Sequence, residues 1–123
     1  MFQQDFCIST SGQGLIEITR EVSGIVYESQ KVEGLCNVFL KHTSASLLIQ
    51  ENASPEVMLD LNNFFRDLVP EESNYLHNIE GPDDMPAHIK NALLDTSLLI
   101  PIKDRKLDLG TWQGIFLFEH RHS

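Results

Sequence analysis

The stretch HTSASLLIQEN, residues 42–52, indicates how the chain folds around its apolar strands. Residues 46–50 form a short apolar run with the length of a buried strand, and residues 35–41 form another just before it. His42 and Glu51 bracket the second run, so groups that can bind a metal or move a proton stand at both of its ends. We predict that the two runs pair as a hairpin. Antiparallel pairing would separate His42 from Glu51 by roughly 10–17 Å, so a pocket containing both would lie at a subunit interface.

Apolar spacing on either side of this stretch predicts the remaining elements. Strands are expected at residues 2–10, 15–19, 97–102, 107–109 and 113–120, and helices at residues 21–29, after Ser54-Pro55 and from Asp84-Met85-Pro86. Short connections between strands favour antiparallel pairing, including a hairpin across KDRK, residues 103–106. Residues 71–84 carry no periodicity and form a long polar loop of a kind that is usually functional or disordered. The sequence therefore predicts one α+β domain, residues 1–123, as a mostly antiparallel sheet sandwich with about three helices.

The composition is typical of a small acidic globular domain. The net charge of -9 argues against general nucleic-acid binding, because a phosphate backbone requires a basic surface. Cys7 and Cys36 lie in apolar runs outside any CxxC motif, so we interpret both as buried free thiols. The N-terminus lacks the pattern of a signal peptide, and no apolar run approaches the roughly 18 residues of a membrane span. We expect a cytoplasmic protein without a membrane partner.

Four histidines stand at the ends of predicted elements: His42, His77, His88 and His120. None belongs to a tight metal-binding motif, but ligands from distant parts of a chain commonly converge on one metal ion. Solvated or hydrogen-bonded side chains are the alternative interpretation. Asp84 and His88 are four residues apart on a predicted helix, so the carboxylate could orient the imidazole.

Two further signals lie in an acidic loop and in a tryptophan flanked by glycines. Glu80, Asp83 and Asp84 crowd the start of a helix, and capping in a solvated turn explains one of these acids better than all three. In GTWQG, residues 110–114, the glycines could let the backbone approach a ligand beside Trp112. A bulged strand start with a packed tryptophan is the alternative.

Three blocks of sequence resemble the YjbQ-like family, also called the secondary thiamine-phosphate synthase family. They are HTSASLLIQENASPEV at residues 42–57, EGPDDMPAHIK at 80–90 and LGTWQGIFLFEHR at 109–121. The resemblance covers nearly the whole chain in the same order. It implies a compact α+β fold, assembly as a homotrimer, and a weak ability to make thiamine phosphate from a pyrimidine diphosphate and a thiazole phosphate with release of pyrophosphate. That activity does not settle the main physiological role of the family.

The resemblance also implies a metal site lined by motif residues. The corresponding positions here are His42, Glu51, His77, Glu80, Asp84, His88, Thr111, Trp112, Gln113, Glu119, His120 and Arg121. We expect His42, His88 and His120 to hold a divalent metal, with His77 in reserve. Zinc suits these ligands best, and magnesium is the alternative with a diphosphate substrate.

Roles follow from the chemistry that this resemblance implies. The expected catalytic residues are Glu51, Asp84, Glu119 and Arg121. The residues expected to contact a cofactor or ligand are Thr111, Trp112 and Gln113. Glu51 or Asp84 would serve as general base or orienting partner, and Arg121 would stabilise a diphosphate leaving group.

The expected partner is a small phosphorylated metabolite. Two alternatives remain open: a homotrimer that binds a metal or a phosphometabolite without turnover, and a structural oligomer with histidines at its subunit boundaries. Members of the family continue past EHR through a Gly-rich basic turn into a further strand. This chain stops at Ser123, so we expect that strand to be missing and a sheet edge to be left open.

Overall fold

Six strands and three helices make up the chain, in a computed structural model that describes residues 1–122. In chain order they are β1 Gly14–Glu17, α1 Thr19–Glu28, β2 Glu33–Phe39, β3 Ala45–Glu51, α2 Pro55–Leu68, α3 Asp84–Leu93, β4 Ser97–Lys103, β5 Lys106–Leu107 and β6 Gln113–Glu119. The α+β class and the three helices confirm the prediction. Within residues 1–122, no helix is long and apolar enough to cross a membrane.

All the paired strands run antiparallel, and they form two three-stranded sheets. The strand orders are β1-β6-β3 and β2-β4-β5. Strands β3 and β6 pair along their whole length, from Ala45 opposite Glu119 to Glu51 opposite Gln113. The central strand β6 therefore carries the residues that follow Glu119 to one defined end of this sheet.

The hairpin predicted from residues 35–41 and 46–50 is wrong. Strands β2 and β3 lie in different sheets, and each pairs with a strand from the C-terminal half of the chain. A short connection permits a hairpin but does not require one, since partner and register depend on which apolar faces meet in the core. His42 and Glu51 nevertheless lie at opposite ends of β3, so a shared pocket at a subunit interface stays a prediction.

The strand predicted at residues 2–10 is also wrong. Its backbone joins neither sheet, and both edges of the central strand β6 are already taken by β1 and β3. Ile8 packs against the core, whereas Phe2 and Phe6 are exposed. Both cysteines are free, as predicted, but Cys7 in this segment is exposed and Cys36 is only half-buried.

The core contains residues from both sheets and from the start of α1. Its buried members are Ile18, Val22, Ala45, Leu47, Leu98, Ile100, Ile115 and Leu117. Strand β6 is apolar on both faces. Phe118 lies on the face opposite to this cluster and packs edge-on against Phe65 of α2 at a centroid distance of 5.8 Å. Burial on both faces explains its continuous apolar sequence.

Candidate metal centre

Helix α3 and the loop before it bring two histidines and a carboxylate together. Asp84 and His88 face the same side of α3, because residues four apart lie one above the other on a helix. The irregular loop returns His77 to this point, where its Nε2 donates to Asp84 Oδ2 at 2.7 Å. His88 Nε2 lies 3.2 Å from the same oxygen. Candidate ligand atoms of the three residues lie within 4.8 Å of one another.

The ring of His88 is held in the orientation that a metal ligand needs. Its Nδ1 lies 2.8 Å from the carbonyl oxygen of Thr43, and a carbonyl only accepts, so Nδ1 carries the proton. In the neutral ring Nε2 then presents a lone pair to Asp84 Oδ2. Two acceptors that face each other repel, so the arrangement requires a proton or a cation between them. A backbone carbonyl on the second ring nitrogen is the usual support of a histidine that ligates a metal.

Asp84 is an ionised carboxylate that is almost completely buried. It is only 3% exposed, yet both of its oxygens are engaged. The hydrogen bond from His77, with the charges of His88 and Arg121, holds the pKa of Asp84 below its ordinary value against the effect of burial. Its Oδ1 accepts from Arg121 Nη1. The carboxylate is thus oriented by the guanidinium and offers Oδ2 to the two imidazoles.

Arg121 holds the acidic loop and helix start in place. Its Nε lies 3.2 Å from Asp83 Oδ2, and its Nη2 donates to the backbone carbonyl of Glu80 at 2.8 Å. Pairing with Asp83 and then Asp84 raises the pKa of Arg121. Two of the three acids are therefore explained by Arg121 rather than by capping. Nη1 and Nη2 of Arg121 are thus engaged with Asp84 and the Glu80 carbonyl, so Arg121 positions Asp84, and its catalytic role stays a prediction.

His120 lies outside this cluster, at the end of β6. It is fully buried, its Nε2 lies 2.9 Å from Ser46 Oγ, and its ring contacts Phe118 at a centroid distance of 4.4 Å. Burial, and then the positive charge of Lys90, lowers the pKa of His120 to about 3. Its Nδ1 is buried with no hydrogen-bond partner in the described part of the chain. As a metal ligand, His120 remains a prediction.

His42 and Glu119 also lie outside the cluster. His42 is exposed, and its Nδ1 lies 2.9 Å from Ser44 Oγ. Glu119 accepts from Thr10 Oγ1 at 2.7 Å through one oxygen, and from the backbone N–H groups that follow it through the other. These bonds fix the backbone at the end of β6. The ligand role of His42 and the catalytic role of Glu119 stay predictions.

The remaining predicted site residues lie at the opposite end of the β3–β6 pair. Glu51 pairs with Gln113, six residues along β3 from Ala45, which is roughly 20 Å. The Gln113 side chain accepts from the Gly110 N–H at 2.8 Å and so closes the turn before β6. Trp112 is exposed, and Thr111 is exposed beside it. The structure therefore divides the predicted site into two separate groups.

The sequence interpretation overlooked Lys90, Ser46 and Thr43. Lys90 is 2% exposed on the inner face of α3, and burial lowers the pKa of its amine. It follows Pro86 by four residues and Asp83 by seven. This spacing places all three on one buried face of the helix, so it could have predicted the burial of Lys90. The role of Thr43 depends on its backbone carbonyl, which no side-chain pattern reveals.

A surface cavity of about 580 Å³ adjoins the cluster. His77 belongs to both, and loop residues Glu71, Asn74, Tyr75 and Asn78 supply polar groups to its wall. A cavity of this size next to a potential metal can accommodate a small polar molecule.

Comparison with known proteins yields a consistent set of relatives. A family model described as "UPF0047 protein YjbQ-like" matches residues 4–123. A UPF0047 protein of Synechocystis is 52% identical over 97% of this chain and 82% of its own, and the UPF0047 protein YjbQ of Escherichia coli O157:H7 is 42% identical over 98% and 88%. A crystal structure from Clostridium acetobutylicum, described as an uncharacterized conserved protein of the yjbq/upf0047 family, matches with a TM-score of 0.84 and 39% identity over 93% of this chain and 85% of that one. A protein of unknown function from Sulfolobus solfataricus matches with a TM-score of 0.85 and 29% identity over 93% and 82%.

Proposed function

This chain belongs to the UPF0047 family of YjbQ-like proteins, and we propose that it is a metal-binding protein that holds zinc with His77, Asp84 and His88. A relative of known structure is described as being of unknown function, so the proposal rests on the residues of this chain. The observation that carries it is the His88 ring, pinned at Nδ1 by Thr43 and pointing its Nε2 at the Asp84 carboxylate.

The donor set fits zinc, and the ligand atoms, which lie within 4.8 Å of one another, would need only local movement to surround an ion. Two imidazole nitrogens and one carboxylate oxygen form a three-ligand set that leaves one position of a tetrahedral ion open, as in catalytic rather than structural sites. Zinc bonds of about 2.0–2.1 Å place tetrahedral ligand atoms roughly 3.3 Å apart. The 3.2 Å separation at His88 matches this, and the 2.7 Å at His77 requires a small opening in the irregular loop. Zinc at His77 Nε2 would require the proton there to move to Nδ1 of a neutral ring, or to leave to solvent from a cationic ring.

A small phosphorylated metabolite is the proposed ligand. When bound, zinc supplies Lewis-acid stabilisation of an anionic oxygen. The chain itself contributes the carboxylate orientation set by Arg121, the polar wall of the loop cavity and the partial exclusion of water by the buried Asp84. The finer proposal, taken from the family resemblance, is an alkyl transfer that joins a pyrimidine diphosphate to a thiazole phosphate and releases pyrophosphate.

A homotrimer without turnover is the second candidate, and exposed apolar surface favours it. Leu35, Phe39 and Leu99 lie on the outer face of the β2–β4 sheet and are 66%, 63% and 62% exposed. They surround Asn37 on this face, and exposed apolar side chains grouped in this way favour an interaction site. We propose that copies of the chain cover it, and the molecular mass in solution tests this directly.

Zinc binding by single-histidine variants tests the ligand set. Calorimetric titration with elemental analysis should show about one zinc per chain in the wild type and little in His77→Ala or His88→Ala. His42→Ala is the matched control, since His42 lies outside the cluster. Loss of zinc in His42→Ala with retention in His77→Ala would refute this set and favour the one predicted from sequence.

Turnover is tested on the zinc-loaded wild type with the two phosphorylated substrates. Thiamine phosphate that forms with zinc and disappears in His88→Ala would support the enzyme. Zinc uptake without product would favour the binding protein.

A further inference from the structure

The Thr43 carbonyl that fixes the His88 ring lies in a segment without regular structure of its own. Residues 40–44 connect β2 of one sheet to β3 of the other, and Thr43 itself is exposed. Neither a helix nor a strand ladder sets the direction of this carbonyl. Other hydrogen bonds must therefore hold it in reach of His88.

One hydrogen bond shapes this turn locally. The backbone N–H of Ser44 donates to Nδ1 of His42 at 3.2 Å. That N–H and the Thr43 oxygen belong to one peptide unit, and a trans peptide directs its oxygen and its hydrogen to opposite sides. While the N–H faces His42, the oxygen faces away from it, and it lies 2.8 Å from His88 Nδ1. The bond to His42 lies within the turn, so it cannot set the position of the turn relative to α3.

Asn91 ties the turn to α3 at two points. It follows His88 by three residues, so both side chains lie on the same side of the helix. Its Nδ2 donates to the carbonyl of Ala45 at 2.7 Å and to that of His42 at 3.4 Å. A carbonyl only accepts, so both contacts require the NH2 group, whose two hydrogens serve one carbonyl each. Asn91 thereby holds the turn on both sides of Thr43.

We propose that Asn91 is a positioning residue of the metal centre. By holding the turn against α3, it keeps the Thr43 carbonyl at His88 Nδ1 and so leaves Nε2 to the metal. This inference rests on the proposed function and adds a residue that belongs to neither the ligand set nor the cavity wall. The direct partner of a ligating histidine commonly contributes roughly 10–100-fold in metal affinity, so we expect about 10-fold from a residue one contact further away.

Zinc affinity of Asn91→Leu tests the proposal, because leucine has a similar shape and carries neither a hydrogen-bond donor nor a charge. Calorimetric titration should show that this variant binds zinc about 10-fold more weakly than the wild type. Asn63→Leu is the matched control, since Asn63 is an exposed residue of α2. It should leave zinc affinity unchanged.

The protonation of the His88 ring gives a readout that a merely structural role of Asn91 would not move. Nitrogen NMR of the metal-free protein, treated with a chelator at about pH 8, reports which ring nitrogens carry a proton when an ordinary histidine is neutral. Nδ1 of His88 should be protonated in the wild type and in Asn63→Leu. In Asn91→Leu the proton should move to Nε2, where Asp84 accepts it. The spectrum of His88→Ala identifies the signals of this ring.

Weaker zinc binding together with loss of the Nδ1 proton would support the proposal. An Nδ1 that stays protonated in Asn91→Leu would overturn it, and so would an unchanged zinc affinity. If the wild type takes up no zinc, the metal site itself fails, whereas the Nδ1 signal still decides whether Asn91 orients His88. Should Asn91→Leu not fold, Asn91→Ala is measured instead, because water can replace the amide there. Failure of both variants to fold would show a purely structural role and would also overturn the proposal.

Discussion

Acid should destabilise this protein through His120 before its carboxylates titrate. The pKa of His120 is lowered to about 3 by burial and by Lys90, whereas an unfolded histidine titrates near 6.5. Below pH 6.5 the unfolded chain therefore binds a proton that the folded chain does not, and stability falls as the pH falls. The contribution is fully present above pH 6.5 and is lost progressively down to about pH 3. Each pH unit in this window corresponds to about 1.4 kcal/mol, so acidification from pH 7 to 5 should remove about 2 kcal/mol.

Urea unfolding of the wild type and His120→Leu at several pH values between 7 and 5 measures this contribution. The free energy of unfolding of the wild type should fall by about 2 kcal/mol more than that of the variant across this range. His42→Leu is the control, because His42 is exposed and its loss should leave the steep dependence in place. Equal pH dependence in wild type and His120→Leu would refute the reasoning and show that His120 accepts a proton readily in the folded state.

Three other variants probe structural supports of the site and of the sheet, each against a matched control. Ser46→Ala removes the partner of His120 Nε2 and should lower the free energy of unfolding, measured in urea, by about 1–3 kcal/mol. The control Ser73→Ala, at an exposed serine, should change it little. An unaffected Ser46→Ala would mean that the buried bond is dispensable. Arg121→Lys should weaken zinc binding, measured by calorimetry, about 10–100-fold, because an ammonium cannot orient Asp84 as the guanidinium does. The control Arg105→Lys should leave zinc affinity unchanged. Unaltered affinity in Arg121→Lys would contradict its positioning role. Gly114→Ala should destabilise by about 1–3 kcal/mol in thermal unfolding, since the added Cβ would crowd Asn52 Cβ at 3.1 Å and push the Glu17 carboxylate off its hydrogen bond with Asn52. Gly24→Ala, with open space around it in α1, should stabilise by about 0.5–1 kcal/mol, and the reverse order of the two glycine variants would disprove the packing argument.

Signals between neighbouring residues were sufficient for most of the secondary structure. The serine-proline pair at residues 54–55 marks the start of α2, and Asp84 begins α3, as predicted. The hairpin across residues 103–106 forms with Asp104 and Arg105 at φ values of 53° and 64°, in the conformation that tight antiparallel turns favour. The proximity of Asp84 and His88 also follows from the sequence, because a helix brings residues four apart together whatever surrounds it.

The sequence could not predict which of the other histidines would lie close to this pair. His77 lies in a loop without periodicity, and only the return of that loop over α3 brings it to Asp84. The separation of Glu51 from the cluster depends on the pairing of β3 with β6, a choice made by apolar faces far apart in the chain.

What the sequence determined by itself is therefore most of the elements, the α+β class, the family and the Asp84–His88 pair, all of which rest on local spacing or on matching residues. The tertiary structure alone decided which strands pair, that Lys90 and His120 are each buried, and which of the predicted site residues meet. Local periodicity sets which side of an element is apolar, but the partner of that side is chosen by packing over the whole chain.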